Sequence, residues 1–129
     1  MIYFDTSSVV KLIVPEAETV ALQTWMRARA GRTFVSSQLL RIELLRAVAR
    51  AAPDRTERAR EVLNGFALLR IDDQIVEAAA SLHPPILRTL DAIHLATAQT
   101  LREHVTGFVA YDRRVAEAAT GLGLNVVAP

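Results

Sequence analysis

Short apolar runs alternate along this chain with longer segments of mixed polarity. Five runs are rich in apolar and β-branched residues, and turn or capping residues bound each of them. They predict strands at residues 2–4, 33–36, 66–71, 107–111 and 125–127. Because the runs are largely apolar rather than alternating, they are typical of strands buried on both faces of a sheet.

The segments between these runs show helical spacing of apolar residues, with capping residues before them and Gly or Pro after several of them. They predict helices at residues 7–14, 18–30, 38–52, 55–64, 73–82, 90–103 and 113–120. The expected N-caps of the last five are Ser37, Asp54, Asp72, Thr89 and Asp112.

The predicted order is βαα-βαα-βαα-βα-β, which is typical of the α/β class with a mainly parallel sheet of four to five strands and helices on both faces. Such folds bind ligands beyond the carboxyl ends of the strands. The length of 129 residues suits one domain, which we expect to span residues 1–129.

Composition narrows the classes of protein. The absence of cysteine excludes disulfides and cysteine-based zinc sites and fits a reducing cytoplasm. The opening MIYFDTSSVV does not resemble a signal peptide, and no apolar run is long enough to predict a membrane span. The net charge of +1 does not indicate a nucleic-acid partner by itself, although the basic residues comprise one lysine and fourteen arginines.

Four of the fourteen acidic residues are of special interest: Asp5, Glu43, Asp91 and Asp112. Each alone has an ordinary explanation. Asp5 and Asp112 follow strands and suit N-caps. Asp91 suits the first turn of a helix, and Glu43 could pair with Arg46 three residues on.

Considered together, the four acids indicate a shared site. Asp5 and Asp112 would converge if their strands are neighbours, while Asp91 and Glu43 lie on or beside apolar helix faces. Carboxylates that converge in a partly dry cleft repel one another and need a cation. Mg²⁺ prefers oxygen ligands and phosphate substrates, so the pattern favours metal-assisted hydrolysis of a phosphodiester.

Four blocks of the chain, in order, resemble the PIN-domain ribonucleases of the VapC toxin type. They are IYFDTSSVVKL at residues 2–12 with Glu16 after it, Glu43 in its apolar helix, LDAIHLATA at residues 90–98, and FVAYDRR at residues 108–114 with the small residues that follow. The resemblance covers the whole chain. Ala110 departs from the pattern, because family members often carry Thr or Ser there.

The resemblance implies a PIN-like α/β/α sandwich and a site in which Asp5, Glu43, Asp91 and Asp112 are catalytic and hold Mg²⁺ or Mn²⁺. It implies hydrolysis of RNA, often transfer RNA or another structured loop, by metal-activated water. It also implies a homodimer, a VapB-type antitoxin that inhibits the enzyme, and no membrane.

Three further residues are weaker candidates for the site. The Thr6 hydroxyl could orient the Asp5 carboxylate or a water, and Arg113 and Arg114 could hold phosphates of the RNA backbone. Their ordinary roles would be helix capping for Thr6, as for Ser8, and solvated helix surface for the two arginines.

Three other functions fit parts of the pattern. A metal-free ribonuclease would need a histidine pair, and the three histidines, His83, His94 and His104, show no converging pair. A flavodoxin-like or receiver-like domain also places acids at strand ends, but a receiver needs a lysine near its end and the only lysine is Lys11. A PIN fold that serves only in binding would be expected to lose an acid, and all four are present.

Overall fold

The computed structural model describes residues 1–129 and confirms the predicted order of elements. The strands are β1 (Ile2–Phe4), β2 (Phe34–Ser37), β3 (Ala67–Leu69), β4 (Gly107–Val109) and β5 (Val126–Val127). The helices are α1 (Thr6–Val10), α2 (Thr19–Arg27), α3 (Leu39–Ala51), α4 (Thr56–Leu63), α5 (Asp73–Ala80), α6 (Thr89–Thr100) and α7 (Arg113–Gly121). None of the seven combines the length and the apolar character that a membrane span requires.

The five strands form one sheet in the order β3-β2-β1-β4-β5, and every neighbouring pair is parallel. The central strand β1 pairs with β2 on one side and with β4 on the other. The chain first builds the sheet outward from β1 through β2 to β3 and then returns to the other side of β1. The carboxyl ends of β1 and β4 therefore flank the topological switch point, where ligands bind in open parallel sheets.

Two apolar layers cover the two faces of the sheet. Ile2 and Phe4 point to one face and pack with the helices between β1 and β3, whereas Tyr3 points to the other face and packs with α6 and α7. This alternation follows from the two-residue period of a strand. It confirms the predicted α/β/α arrangement and turns the Tyr3 phenol toward α6.

Several predicted boundaries were too wide. The helix predicted at residues 7–14 ends at Val10, and the helix predicted to reach residue 103 ends at Thr100. In both places the chain continues in tight turns whose amides bond to carbonyls three residues back, which a periodic pattern does not distinguish from a helix. The last two residues of the strand predicted at 107–111 are likewise outside β4, because regular pairing ends at Val109.

Two predicted N-caps were wrong. Pro53 begins a 3-10 turn that includes Asp54, and α4 starts only after Arg55. Thr89 is the first residue of α6 rather than its cap, because Arg88 precedes it in an extended conformation. Asp72 and Asp112 cap α5 and α7 as predicted, and the Ser37 hydroxyl accepts from the Leu39 amide at the start of α3.

Candidate active site

The candidate site lies at the carboxyl edge of β1 and β4. Asp5 follows β1 directly, and its amide donates to the Val109 carbonyl at the end of β4 at 3.2 Å. Asp112 follows β4 and caps α7. The strands are neighbours in register, with Phe4 opposite Val109. The structure therefore brings the two strand-end aspartates to one edge of the sheet.

Asp5 is both a helix cap and a buried charge. Its Oδ1 accepts from the Ser8 amide at 3.0 Å, and the Ser7 hydroxyl donates to both carboxylate oxygens at 2.9 and 2.8 Å. The residue is only 4% exposed. Burial raises the pKa of Asp5 above its ordinary value, although the hydrogen bonds from Ser7 and Ser8 oppose this shift.

Glu43 does not pair with Arg46, so that expectation was wrong. Its Oε1 instead accepts from the Thr6 hydroxyl at 2.6 Å and lies 2.7 Å from His94 Nε2. Partial burial disfavours the charged form, but the hydrogen bonds from His94 and Thr6 outweigh it and lower the pKa of Glu43. Thr6 thus orients Glu43, whereas Ser7 takes the role that was expected of Thr6 beside Asp5.

Asp91 and Asp112 share one cation, the guanidinium of Arg88. Arg88 Nε donates to Asp91 Oδ2 at 2.7 Å, and its Nη2 lies 3.6 Å from Asp112 Oδ2. The Asp91 side chain is 18% exposed, which agrees with the partial burial expected of it. The hydrogen bond to Asp91 raises the pKa of Arg88 further, so the guanidinium stays charged.

The donor set suits a hard divalent cation, although its side chains do not form a closed ligand shell. No three carboxylate or imidazole groups stand close enough together to hold a metal ion. The carboxylates of Asp91 and Asp112 nevertheless both contact one positive group, the Arg88 guanidinium. Oxygen donors at an edge that attracts a cation fit Mg²⁺ or Mn²⁺, which keep several waters of their own.

A cleft of about 1070 Å³ is lined by Asp91 and Arg88, whereas the other three candidate acids are not part of its lining. One wall is the segment from His83 to Arg88, and the other is α7 with Arg114 and Glu117. The two candidate arginines differ in their surroundings. Arg113 is paired with Glu117 at 2.7 Å, whereas Arg114 lines the cleft.

The structure adds residues that the sequence did not single out for the site. His94 and Arg88 each contact one or more of the four acids. His94 follows Asp91 by three residues, a spacing that places both on one face of α6 and was a usable signal. Arg88 lies before the helix, and no local signal indicated its role. No other histidine contacts His94, so the geometry gives a histidine-pair ribonuclease no support.

Glu16 lies in the segment between α1 and α2. It forms an ion pair with the buried Lys11, which also contacts Glu18 at 3.1 Å. The Lys11 ammonium lies 4.6 Å from the centre of the Tyr111 ring, next to Asp112. This network ties the end of α1 to the segment after β4, and so supports the geometry of the candidate site.

Comparison with known proteins places the chain in a family. The family model for the PIN domain matches residues 2–121. Ribonuclease VapC47 of Mycobacterium tuberculosis (strain CDC 1551 / Oshkosh) is 41% identical over 132 residues, covering 100% of this chain and 97% of the relative. Ribonuclease VapC46 of Mycobacterium tuberculosis (strain ATCC 25618 / H37Rv) is 44% identical over 128 residues, covering 99% and 97%.

Two solved structures share the fold. A toxin–antitoxin complex from Klebsiella pneumoniae gives a TM-score of 0.70 at 22% identity, covering 100% of this chain and 98% of that one. VapBC2 from Rickettsia felis, bound to a DNA fragment from their promoter, gives 0.71 at 15% identity, covering 99% and 98%. The family match and the relatives carry the assignment, and the structures agree with it in fold. The chain therefore belongs to the PIN-domain family and, within it, to the VapC-type toxin ribonucleases.

Proposed function

We propose that this protein is a divalent-metal-dependent endoribonuclease that cuts transfer RNA or another structured-loop RNA at the edge bearing Asp5, Glu43, Asp91 and Asp112. One observation carries the proposal. Two aspartates follow the neighbouring strands β1 and β4 at the switch point of a parallel sheet, and one of them shares a cation with Asp91. With transfer RNA as the substrate, the proposed location of the protein is the cytoplasm.

In this mechanism the four carboxylates would hold Mg²⁺ or Mn²⁺, with Asp5 and Asp91 as the principal ligands. The chemistry supplied at such a site is polarisation of the phosphodiester and activation of water. Asp5 or Asp91 would orient the attacking water and accept its proton. The water oxygen, and not the 2′-hydroxyl of the RNA, would form the new bond to phosphorus, while the P–O bond to the leaving ribose oxygen opposite it breaks. Thr6 keeps the Glu43 carboxylate in place, since it donates to Oε1 at 2.6 Å.

The cleft supports RNA as the substrate. It is open and large enough for a nucleotide segment, and arginines stand on both of its walls, Arg88 and Arg114. Arginine side chains bind phosphate oxygens and position a nucleic acid without reading its sequence. If Asp91 and Asp112 hold a metal ion, Arg88 needs another partner. A phosphate of the bound RNA would then take their place.

The proposed partner in the cell is a VapB-type antitoxin that blocks the cleft. Support comes from the relatives named VapC and from the two solved toxin–antitoxin structures of the same fold. An inhibitor of this kind would be expected to cover the cleft between the His83–Arg88 segment and α7, because Asp91 and Arg88 line that cleft.

We also propose that the protein is a homodimer. Three large apolar side chains are exposed on α5, on the loop after it and at the start of α6: Val76, Ile86 and Leu90. A second, largely apolar hollow of about 340 Å³ lies between α5 and α6 and includes Val76 and Ile93 in its lining. Exposed apolar patches of this kind can be buried at a two-fold interface between copies of the chain.

The decisive experiment is cleavage of a total transfer-RNA pool by the pure protein, with Mg²⁺ and with EDTA. Asp91→Asn should abolish cleavage, because it removes a proposed ligand. Asp73→Asn is the matched control, since Asp73 is likewise a first-turn acid but lies on α5. Cleavage that persists in EDTA or in Asp91→Asn would refute the metal mechanism.

A further inference from the structure

We propose that His94 is a positioning residue for Glu43, and that Tyr3 holds the imidazole from its other side. Three side chains from three elements form a continuous chain of hydrogen bonds: Tyr3 on β1, His94 on α6 and Glu43 on α3. The effect on RNA cleavage rests on the proposed function, whereas the orientation of Glu43 does not.

The hydrogen bond at the Glu43 end has a defined direction. A carboxylate oxygen accepts, so His94 Nε2, which lies 2.7 Å from Glu43 Oε1, carries a proton and donates it. On the other side of the ring, Nδ1 lies 2.8 Å from the Tyr3 hydroxyl, which also accepts from the Ser37 amide at 3.1 Å. Tyr3 therefore anchors the imidazole through the nitrogen that does not contact Glu43.

The proton on Nε2 points to the candidate site. Nε2 lies 2.7 Å from Glu43 Oε1 and 3.0 Å from the Thr6 hydroxyl. Thr6 itself donates to the same Oε1. Both bonds to Glu43 therefore end on Oε1, which leaves Oε2 available to a ligand. The carboxylate is held in one orientation by two donors on its inner side.

Burial makes this chain of groups rigid. Tyr3 is fully buried and stacks on Phe108, with the ring centres 5.2 Å apart, and His94 is 2% exposed. The Glu43 side chain is 21% exposed and is the only one of the three that reaches the solvent. A rigid inner layer that fixes a functional side chain is how metal and catalytic sites obtain their geometry.

The contacts of His94 go beyond packing. A plain packing role for His94 would require neither the proton on Nε2 nor its alignment with Glu43.

The hydrogen bond to Glu43 can be read directly by NMR on the whole protein labelled with ¹⁵N-histidine. Two-bond ¹H–¹⁵N correlations should show a proton on Nε2 of His94, and that proton should exchange slowly with water because it is buried against Glu43. Assignment is simple because there are only three histidines. A His94 without a proton on Nε2 would overturn the proposal.

The positioning role is tested by two substitutions that keep different halves of the imidazole. In His94→Gln the amide N–H can replace Nε2 as the donor to Glu43, whereas in His94→Asn the shorter side chain can serve only near the position of Nδ1. We expect kcat for RNA cleavage in His94→Asn to be about tenfold below that in His94→Gln, with similar KM values. His104→Asn, on an exposed turn, is the control for loss of a histidine.

Thermal melting of both variants separates folding from positioning. Equal kcat values in two variants of similar stability would refute the positioning role. If the wild-type protein cleaves no RNA, the proposed function fails. The metal affinity of the two variants, measured by calorimetry, then takes the place of kcat, and the affinity should be lower in His94→Asn than in His94→Gln.

Discussion

At the scale of single residues, the ordinary and the functional explanations of the acids are both partly right. Asp5 caps α1 and Asp112 caps α7, as the preference of aspartate for N-cap positions predicts. Yet the capping bonds of Asp5 do not explain why a carboxylate is buried where an uncharged cap would serve equally well. Asparagine caps helices as well as aspartate does, without the cost of a buried charge.

Replacing Asp5 by Asn should therefore separate stability from activity. The amide oxygen can still accept from the Ser8 amide, while the buried charge is gone. We expect the metal-free Asp5→Asn protein to melt at the same or a higher temperature and to lose cleavage by about 100-fold or more. Asp72→Asn is the control, because Asp72 caps α5 by the same bond away from the candidate site. A marked loss of stability in Asp5→Asn would contradict the prediction.

The shift in the Glu43 pKa should be visible in the stability of the metal-free protein. Because the pKa is lower in the folded state than its ordinary value of 4.5, Glu43 stabilises the fold above that value. The contribution is lost as the pH falls below 4.5 through the folded-state pKa. Urea unfolding should show wild type more stable than Glu43→Gln at neutral pH, with the difference vanishing in acid.

The sign for Asp5 is opposite, which gives an internal contrast. Its pKa is raised in the folded state, so ionisation above the ordinary value of 3.8 costs stability. The advantage of Asp5→Asn over wild type should therefore grow with rising pH. The same pH trend for both variants would contradict the assigned directions.

At the scale of elements, α6 and α7 form the two sides of the site. One face of α6 presents Asp91 and His94, with Arg88 just before the helix, and the start of α7 presents Asp112 and Arg114. Arg113 points elsewhere and pairs with Glu117. Arg113 and Arg114 are adjacent in sequence, but only Arg114 is placed to contact RNA in the cleft.

RNA binding should depend on Arg114 more than on Arg113. Measured on the Asp91→Asn background, to prevent cleavage, Arg114→Gln should weaken binding several-fold. It should also reduce the slope of log affinity against log salt by about 0.7, the value for one phosphate contact on a single strand. Arg113→Gln should leave both quantities nearly unchanged. Fluorescence anisotropy at several salt concentrations provides the measurement.

At the scale of the whole molecule, the apolar patch formed by Val76, Ile86 and Leu90 predicts the state of assembly. Val76→Glu places a charge in the proposed interface and should convert the dimer to a monomer in sedimentation velocity. Val20→Glu is the matched control, because Val20 is 72% exposed on α2. A wild-type protein that sediments as a monomer at micromolar concentrations would contradict the proposed dimer.

The order of elements and the parallel sheet could be predicted because the five apolar runs and the helical periods are local signals. The closeness of Asp5 and Asp112 could be predicted because both residues follow strands that can be neighbours in such a fold. The partners of the acids could not be predicted, since Thr6, Glu43 and His94 come from distant segments. Arg88 was missed because the pattern suggested a cap at Thr89, and nothing local shows that an arginine turns back toward Asp91.

The placement of β4 beside β1 also has a consequence for synthesis. Asp5 is made first, but its neighbours at the edge of the sheet, Asp91 and Asp112, belong to the last third of the chain. A growing polypeptide on the ribosome therefore has no assembled active site until α6 and α7 have been made. We expect prematurely released fragments that lack α6 and α7 to be inactive, so that a host cell is exposed to the nuclease only after both helices have been translated.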